Sequence, residues 1–335
     1  MSPLSRLVVA PVLRPMLLSW GAITGLGLAL FAAQALTRAP VLPSPVGALW
    51  VLLGLLPAVA AVGLPVSVLF GVVAAAERKA REGEWLALAA SGLPARRLVP
   101  PLLVLGLVGG IVEAGLTHGL EPMGRATVRR ALEGAVSELR LQPGQPAVIG
   151  ELLLLAGGVE GPRMTDLFVA VGDTALAARG GRMEAGVLVV TDGEAEGRGA
   201  GGGASLWSLT FERARLPLAA GGLRVEAAER DDRALLDLID RMEAKGRRAD
   251  FERMTLYKRS ALPLSVPLLT LLGLPLGARR ARPALVAAAT VLGWWVLMRL
   301  SDQSVSTVGA LLASGLPPAV LAIAALVGWS RWGAR

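Results

Sequence analysis

Long apolar runs alternate with short charged loops along this chain, except for one long polar interval in the middle. A helix needs roughly 20 apolar residues to cross the hydrocarbon core of a membrane. Six runs come near that length: 16–36, 46–73, 98–120, 261–276, 284–300 and 308–329. Three runs precede the polar interval and three follow it, so the pattern predicts six membrane helices in two groups of three.

The fourth run is interrupted by Pro263, Pro267 and Pro275. Proline has no backbone N–H, so the carbonyl four residues earlier loses its helical donor. A membrane helix tolerates this when neighbouring helices or water satisfy the freed carbonyl. We therefore expect a kinked membrane helix here.

The polar interval predicts a β domain and a return helix. Four short segments alternate partly between apolar and polar residues and are separated by glycine-rich turns: AVIGELLLLAGG, DLFVAVGD, GVLVVTDGEAEG and ASLWSLTFERARLPL. After them Leu235, Leu236, Ile239 and Met242 recur at helical spacing. We expect an antiparallel sandwich or an open jelly-roll, followed by an amphipathic helix that leads back to the membrane.

The expected fold class is therefore an α-helical membrane protein with six transmembrane helices (3+3) and an inserted antiparallel β jelly-roll-like domain. Its expected parts are an N-terminal transmembrane domain (1–124), the β domain with its return helix (125–255) and a C-terminal transmembrane domain (256–335). The composition agrees, since 53% of the residues are hydrophobic and only 18% are charged.

Basic residues concentrate in the loops on one side of the six predicted helices, whereas the opposite short loops carry only Arg38 and Asp302. Basic loops stay in the cytoplasm. Both termini are therefore expected to be cytoplasmic and the β domain periplasmic. This rule accounts for most of the net charge of +8, so we expect no nucleic-acid partner.

Little catalytic chemistry is visible. The chain has no cysteine and one histidine, His118, and it contains neither a Walker A nor an HExxH pattern. We expect no enzymatic activity, no metal site and no cofactor bound by this chain, with His118 as a lone histidine at the membrane interface. Energy for transport against a gradient would come from a partner or an ion gradient.

A charged island, AAAERKAREGEWLALAASGLPARRLVPP, separates the second and third apolar runs. It predicts a short cytoplasmic amphipathic helix at about 77–92. A permease needs such a helix to dock on a separate ATPase. An ordinary solvated loop is the alternative.

Part of this island, GEWLALAASGLPARRLVPPLL, resembles the segment after the second membrane helix in the lipopolysaccharide export permease family LptF/LptG, also called YjgP/YjgQ. The resemblance runs in order through the whole chain. Its other segments are EPMGRA, LWSLTFERARLPL, YKRSALPLSVPLLTLLGLPLGARRARP and ASGLPPAVLAIAALV.

The resemblance implies a permease subunit of an ATP-driven ABC transporter in the bacterial inner membrane. Such a subunit extracts lipopolysaccharide and passes it to a periplasmic bridge. The partners implied are an LptB-like cytoplasmic ATPase dimer, which uses the ATP, a second LptF/LptG-type permease, and periplasmic jelly-roll proteins of the LptC/LptA type.

The resemblance also implies roles for individual residues of the island. Glu84 matches the acidic position that engages the ATPase. Trp85 and Leu88 are expected, from their residue types in an amphipathic helix, to supply apolar contacts to a groove of the partner. Arg96 and Arg97 match the basic position downstream. The alternative role of these two arginines is to keep the loop on the cytoplasmic side of the membrane.

Candidates for binding the lipid phosphates lie on the opposite side, because arginine binds phosphate through two hydrogen bonds; they are Arg38, Arg125, Arg129 and Arg299. Family members carry lysines near the outer end of the first helix, where this chain has only Arg38. Arg299 could instead pair with Asp302 three residues on, and Glu113 lies at a similar depth in the third run.

Two other functions remain open from the sequence: an ATP-driven permease of mechanotransmission type without lipid passage, and a non-transporting membrane receptor or scaffold. Co-purification of an ATPase would separate both permeases from the scaffold, and bound glycolipid would separate the two permeases.

Overall fold

A computed structural model describes residues 3–38, 44–92, 95–137, 142–149, 152–161, 163–184, 187–198, 206–217, 227–278 and 282–333. The chain forms two compact units. The membrane unit comprises Met1–Ala29, Leu55–Gly124 and Ala227–Arg335, and the sheet unit comprises Leu30–Gly54 and Arg125–Glu226.

Within the described ranges the helices are α1 (Pro3–Arg38), α2 (Pro45–Arg81), α3 (Glu84–Ala90), α4 (Val99–Ala114), α5 (Glu121–Ser137), α6 (Asp232–Ala244), α7 (Asp250–Gly277), α8 (Pro283–Val308) and α9 (Ala310–Gly333). A π-helical segment, Gly115–Leu120, joins α4 to α5. Among the residues that the structure describes, six helical stretches are long and apolar enough to cross a membrane: α1, α2, α4 continued into α5, α7, α8 and α9. The predicted arrangement of three and three membrane helices is confirmed.

Close backbone contact joins α4 to α7. A Cβ atom added to Gly106 would lie 2.5 Å from Pro267 Cα, and one added to Gly110 would lie 2.9 Å from the carbonyl oxygen of Pro263. Larger residues at these two positions would push the helices apart. Gly106 and Gly110, four residues apart on α4, therefore mark a helix contact within the chain.

Two prolines of α7 free carbonyls that lie within reach of donors in other elements. Pro263 frees the Arg259 carbonyl, which lies 3.2 Å from the Thr117 hydroxyl. That hydroxyl also lies 3.0 Å from the Glu113 carbonyl of its own helix, so the two carbonyls share one donor. Pro275 frees the Leu271 carbonyl, which accepts a hydrogen bond of 2.7 Å from Trp329 Nε1. These cross-helix bonds supply the donors that proline removes, and α7 remains helical from Asp250 to Gly277 with its three prolines inside it.

The same arrangement recurs between α8 and α9. Pro317 frees the Ala313 carbonyl, and the buried Ser301 hydroxyl of α8 donates to it. A serine in one helix thus replaces the donor that a proline removes from the next.

The return segment consists of α6 and the beginning of α7, separated by a turn in which Gly246 has φ +68°. Asp231 caps α6 by accepting a hydrogen bond of 2.7 Å from the backbone N–H of Ala234. The predicted helix is present: Leu235 and Ile239 are buried and Met242 packs against them, whereas Leu236 is 47% exposed.

The sheet unit contains an open antiparallel sheet in which the strands pair in chain order. The strands are β1 (Ala147–Ile149), β2 (Leu152–Glu160), β3 (Arg163–Val171), β4 (Thr174–Glu184), β5 (Val187–Arg198) and β6 (Leu206–Pro217). The expected antiparallel insert is confirmed. Strand β4 was not predicted, because its sequence TALAARGGRME is rich in alanine, glycine and arginine and has few strand-favouring residues.

Two aspartates at the same level of this sheet have left-handed backbone conformations. Asp166 in β3 and Asp192 in β5 have φ angles of +50° and +53°. Asp tolerates the left-handed conformation better than most residues. In β3 the buried side changes at this point from Met164 to Leu167 and Val169, and all three of these residues belong to one core.

Replacing Ser301 tests the carbonyl arrangement. Ser301→Ala leaves the buried Ala313 carbonyl without its side-chain donor, so it should lower the free energy of unfolding by about 1–3 kcal/mol. Ser304→Ala is the matched control, because the Ser304 hydroxyl donates only to its own helix, to the Ser301 carbonyl. Thermal unfolding of both variants in detergent measures the difference, and equal losses would contradict the assignment.

Candidate functional site

The charged island folds as the end of α2, a tight turn and the seven-residue helix α3. The turn contains Glu82 and Gly83, and Gly83 has φ +74°, which glycine adopts without steric cost. Glu84 is the first residue of α3. The helix α2 therefore ends just before the acidic residue singled out in the sequence.

Glu84 pairs with Lys79 in the last turn of α2. The Lys79 side chain is 7% exposed, whereas that of Glu84 is 38% exposed. The hydrogen bond from Lys79 lowers the pKa of Glu84 below its ordinary value, against a smaller opposing effect of burial. Glu84 is thus an ionised carboxylate held by a buried lysine, with part of its surface still open.

The Trp85 side chain packs against the membrane helices. Its Nε1 donates a 2.9 Å hydrogen bond to the Ala76 carbonyl of α2, and its ring packs on the core that contains Leu98 and Leu102. Trp85 therefore fixes α3 against α2. The neighbouring Leu86 is 67% exposed and supplies the apolar outer surface of α3.

Of the remaining candidate residues of the island, the structure describes one side chain and leaves two undescribed. Arg97 is exposed in the short 3-10 turn Ala95–Leu98. The side chains of Leu88 and Arg96 lie outside the described part of the structure, as does that of Arg38, one of the candidates for lipid binding.

A second polar group, which we call the tie cluster, consists of His118, Asp232 and Arg259 in the membrane unit. His118 Nδ1 lies 2.6 Å from one oxygen of Asp232, and Arg259 Nη1 donates to the other oxygen at 2.7 Å. Arg259 Nη2 also donates to the carbonyls of Ala228 and Arg230 at 2.9 and 2.8 Å. The cluster joins α6 to α7 and to the π-helical segment.

Charge holds the tie cluster together. Arg259 is only 4% exposed, so its guanidinium needs the neighbouring oxygens. Burial raises the pKa of Asp232, but the hydrogen bonds from His118 and Arg259 outweigh it and leave that pKa below its ordinary value. The sequence interpretation of His118 as a lone histidine missed its partner, because the partner lies 114 positions away in the chain.

Arg299 does not pair with Asp302, which forms its ion pair with Lys258 of α7. Arg299 is exposed, and its guanidinium carbon lies 5.2 Å from the centre of the Trp295 ring, at the distance of a cation–π contact. It thus presents its charge on the surface of α8.

Arg125 and Arg129 lie one turn apart on α5 and are both partly exposed. Within the described ranges no group of three His, Asp or Glu side chains is arranged to hold a metal ion.

One family of known proteins matches this chain. Residues 6–331 match the family model described as "Lipopolysaccharide export system permease LptF/LptG". The match covers nearly the whole chain and confirms the resemblance drawn from its segments. No curated protein matches the chain significantly.

Replacing Asp232 tests the tie cluster. Asp232→Asn removes the carboxylate from the nearly buried Arg259 and should cost about 1.5–3 kcal/mol of stability. Hydrogen exchange of α6 amides should therefore accelerate at neutral pH. Because the folded pKa of Asp232 is lowered, its stabilisation is present above the ordinary pKa and is lost as the pH falls through the lowered value.

Asp231→Asn is the matched control, because asparagine caps a helix as well as aspartate does. Equal exchange rates in the two variants, or a difference that persists in acid, would contradict the proposed role of Asp232.

Proposed function

The chain belongs to the LptF/LptG family of lipopolysaccharide export permeases, and we propose that it is the permease subunit of an ATP-driven transporter. In this role it extracts lipopolysaccharide from the bacterial inner membrane and passes it to a periplasmic bridge. The observation that carries the proposal is the family match over residues 6–331, and the geometry around Glu84 supports it.

We call residues 77–92 the coupling segment. The partner proposed for it is a cytoplasmic ATPase dimer, which binds and hydrolyses the ATP. Glu84 offers a carboxylate to a basic group of that ATPase, and Leu86 offers an apolar contact beside it. Trp85 contributes by holding α3 on α2, and Lys79 by holding the carboxylate in place. Because α3 is fixed to a membrane helix in this way, movement of the ATPase would be transmitted to α2.

The orientation follows from the basic loops, with both termini and α3 in the cytoplasm. The sheet unit then carries its strands in the periplasm, where a second permease and jelly-roll partners would extend the path. No cofactor is proposed for this chain itself.

An apolar row across the sheet is a candidate path for acyl chains. Leu154, Val169, Leu176, Ala195 and Leu209 lie opposite one another on successive strands. At the edge strand β6 the row becomes accessible, where Leu209 is 58% exposed. Phosphate groups of the lipid would meet the partly exposed Arg125 and Arg129, and the exposed Arg299.

The coupling role is tested with Glu84→Gln, which keeps the shape of the side chain and removes its charge. Retention of the partner ATPase during purification in detergent should fall. Glu77→Gln is the matched control, because Glu77 forms an exposed ion pair with Arg81 in the same stretch and has no proposed contact with the ATPase. Equal retention in both variants would contradict the coupling role of Glu84.

Lipid passage is tested separately by placing a photocrosslinking residue at Leu209 or at Glu194 in the wild-type background. Leu209 shares the apolar row, whereas Glu194 is exposed and points to the opposite face because side chains alternate along a strand. Lipopolysaccharide should crosslink at position 209 and not at 194 when ATP is supplied. ATPase binding without crosslinking would favour the mechanotransmission permease, and absence of both would favour the scaffold.

A further inference from the structure

Glu113 is a buried acid that neither the tie cluster nor the coupling segment uses. Its side chain is 0% exposed on the face of α4 that includes Gly106 and Gly110. Neither of its carboxylate oxygens has a hydrogen-bond partner among the described residues. Such a group inside a membrane helix is costly and marks a functional site by default.

Its surroundings are apolar or already occupied. One turn before it, Gly110 meets the Pro263 carbonyl of α7, and one turn after it, the Thr117 hydroxyl meets the Arg259 carbonyl. Helix α2, which shares a core with α4 and α7, carries no charged residue between positions 45 and 76.

The charged and titratable groups on the neighbouring elements include Lys258 and Arg259 on α7, His118 in the π-helical segment, Asp232 on α6, Arg230 before it, and Glu121 at the start of α5. The three cations of α7 are all paired elsewhere, Arg253 with Glu243, Lys258 with Asp302 and Arg259 with Asp232. None of these groups donates to a Glu113 oxygen.

An ionised carboxylate that lacks both water and a donor is far less stable than a neutral carboxyl group. From the burial, the absence of a partner and the packing of α4 on α7, we propose that Glu113 is a proton-binding site within the membrane unit, occupied when these helices are packed as described. The ligand is a proton, and the site adds a proton-binding step that the permease function does not contain.

On this proposal the proton exchanges at the π-helical segment that follows Glu113. Segments of this kind occur frequently at functional sites, and their hydrogen bonds join residues five apart. His118 is five residues after Glu113, and its side chain is 31% exposed. When α4 separates from α7 and water enters, the carboxyl group releases its proton to solvent on the His118 side and becomes a carboxylate; repacking takes a proton back.

Two measurements on the full-length protein in membranes test the site. The first is labelling with dicyclohexylcarbodiimide, an apolar reagent that attacks protonated carboxyl groups. Glu113 should be labelled at neutral pH, with loss of labelling in alkaline buffer and in Glu113→Gln. A water-soluble carbodiimide should leave Glu113 unmodified while it reacts with exposed carboxylates such as Glu82.

The second measurement is infrared spectroscopy, which does not depend on access of a reagent. The difference between wild type and Glu113→Gln should contain the C=O stretch of a protonated carboxyl group at neutral pH. Absence of that band in the folded protein would overturn the proposal, whether or not the carbodiimide labels Glu113. Neither readout requires transport, so the proton site and the export function can fail independently.

Discussion

The membrane unit depends on one constraint: a carbonyl that a proline frees inside an apolar bundle needs a donor from elsewhere. Helix α7 carries three prolines and lies in both large cores of this unit. Thr117 on one side and Trp329 on the other reach carbonyls that Pro263 and Pro275 free. These two contacts link α7 to the π-helical segment and to α9 at the positions of its prolines.

Arg259 connects several polar groups of the membrane unit. The Arg259 backbone is bound by Thr117, while its side chain binds Asp232 and two further carbonyls. One residue therefore links the freed carbonyl of α7 to the return helix α6. Glu113 lies one turn before Thr117, so any movement of α4 against α7 would alter both the carbonyl contact and the burial of this acid.

The coupling segment follows a different principle, because it sits at the end of α2 where water is accessible. There a buried lysine and an indole hydrogen bond fix a short helix that could not be stable alone. Isolated helices of seven residues do not form in water, so α3 depends on Trp85 and on the pair of Lys79 with Glu84. The residue proposed to meet the ATPase is therefore held by the helix that would receive the movement.

The sequence alone determined the six spans and the antiparallel insert, because apolar length and alternation are properties of neighbouring residues. It did not determine the tie cluster, since Asp232 lies 27 positions from Arg259 and 114 from His118. Nor did it determine which cation pairs with Asp302, because Arg299 three residues away is the obvious local candidate. Only the packing of α7 on its neighbours decided these partners, since polar groups in an apolar bundle pair with whichever donor the fold brings within reach.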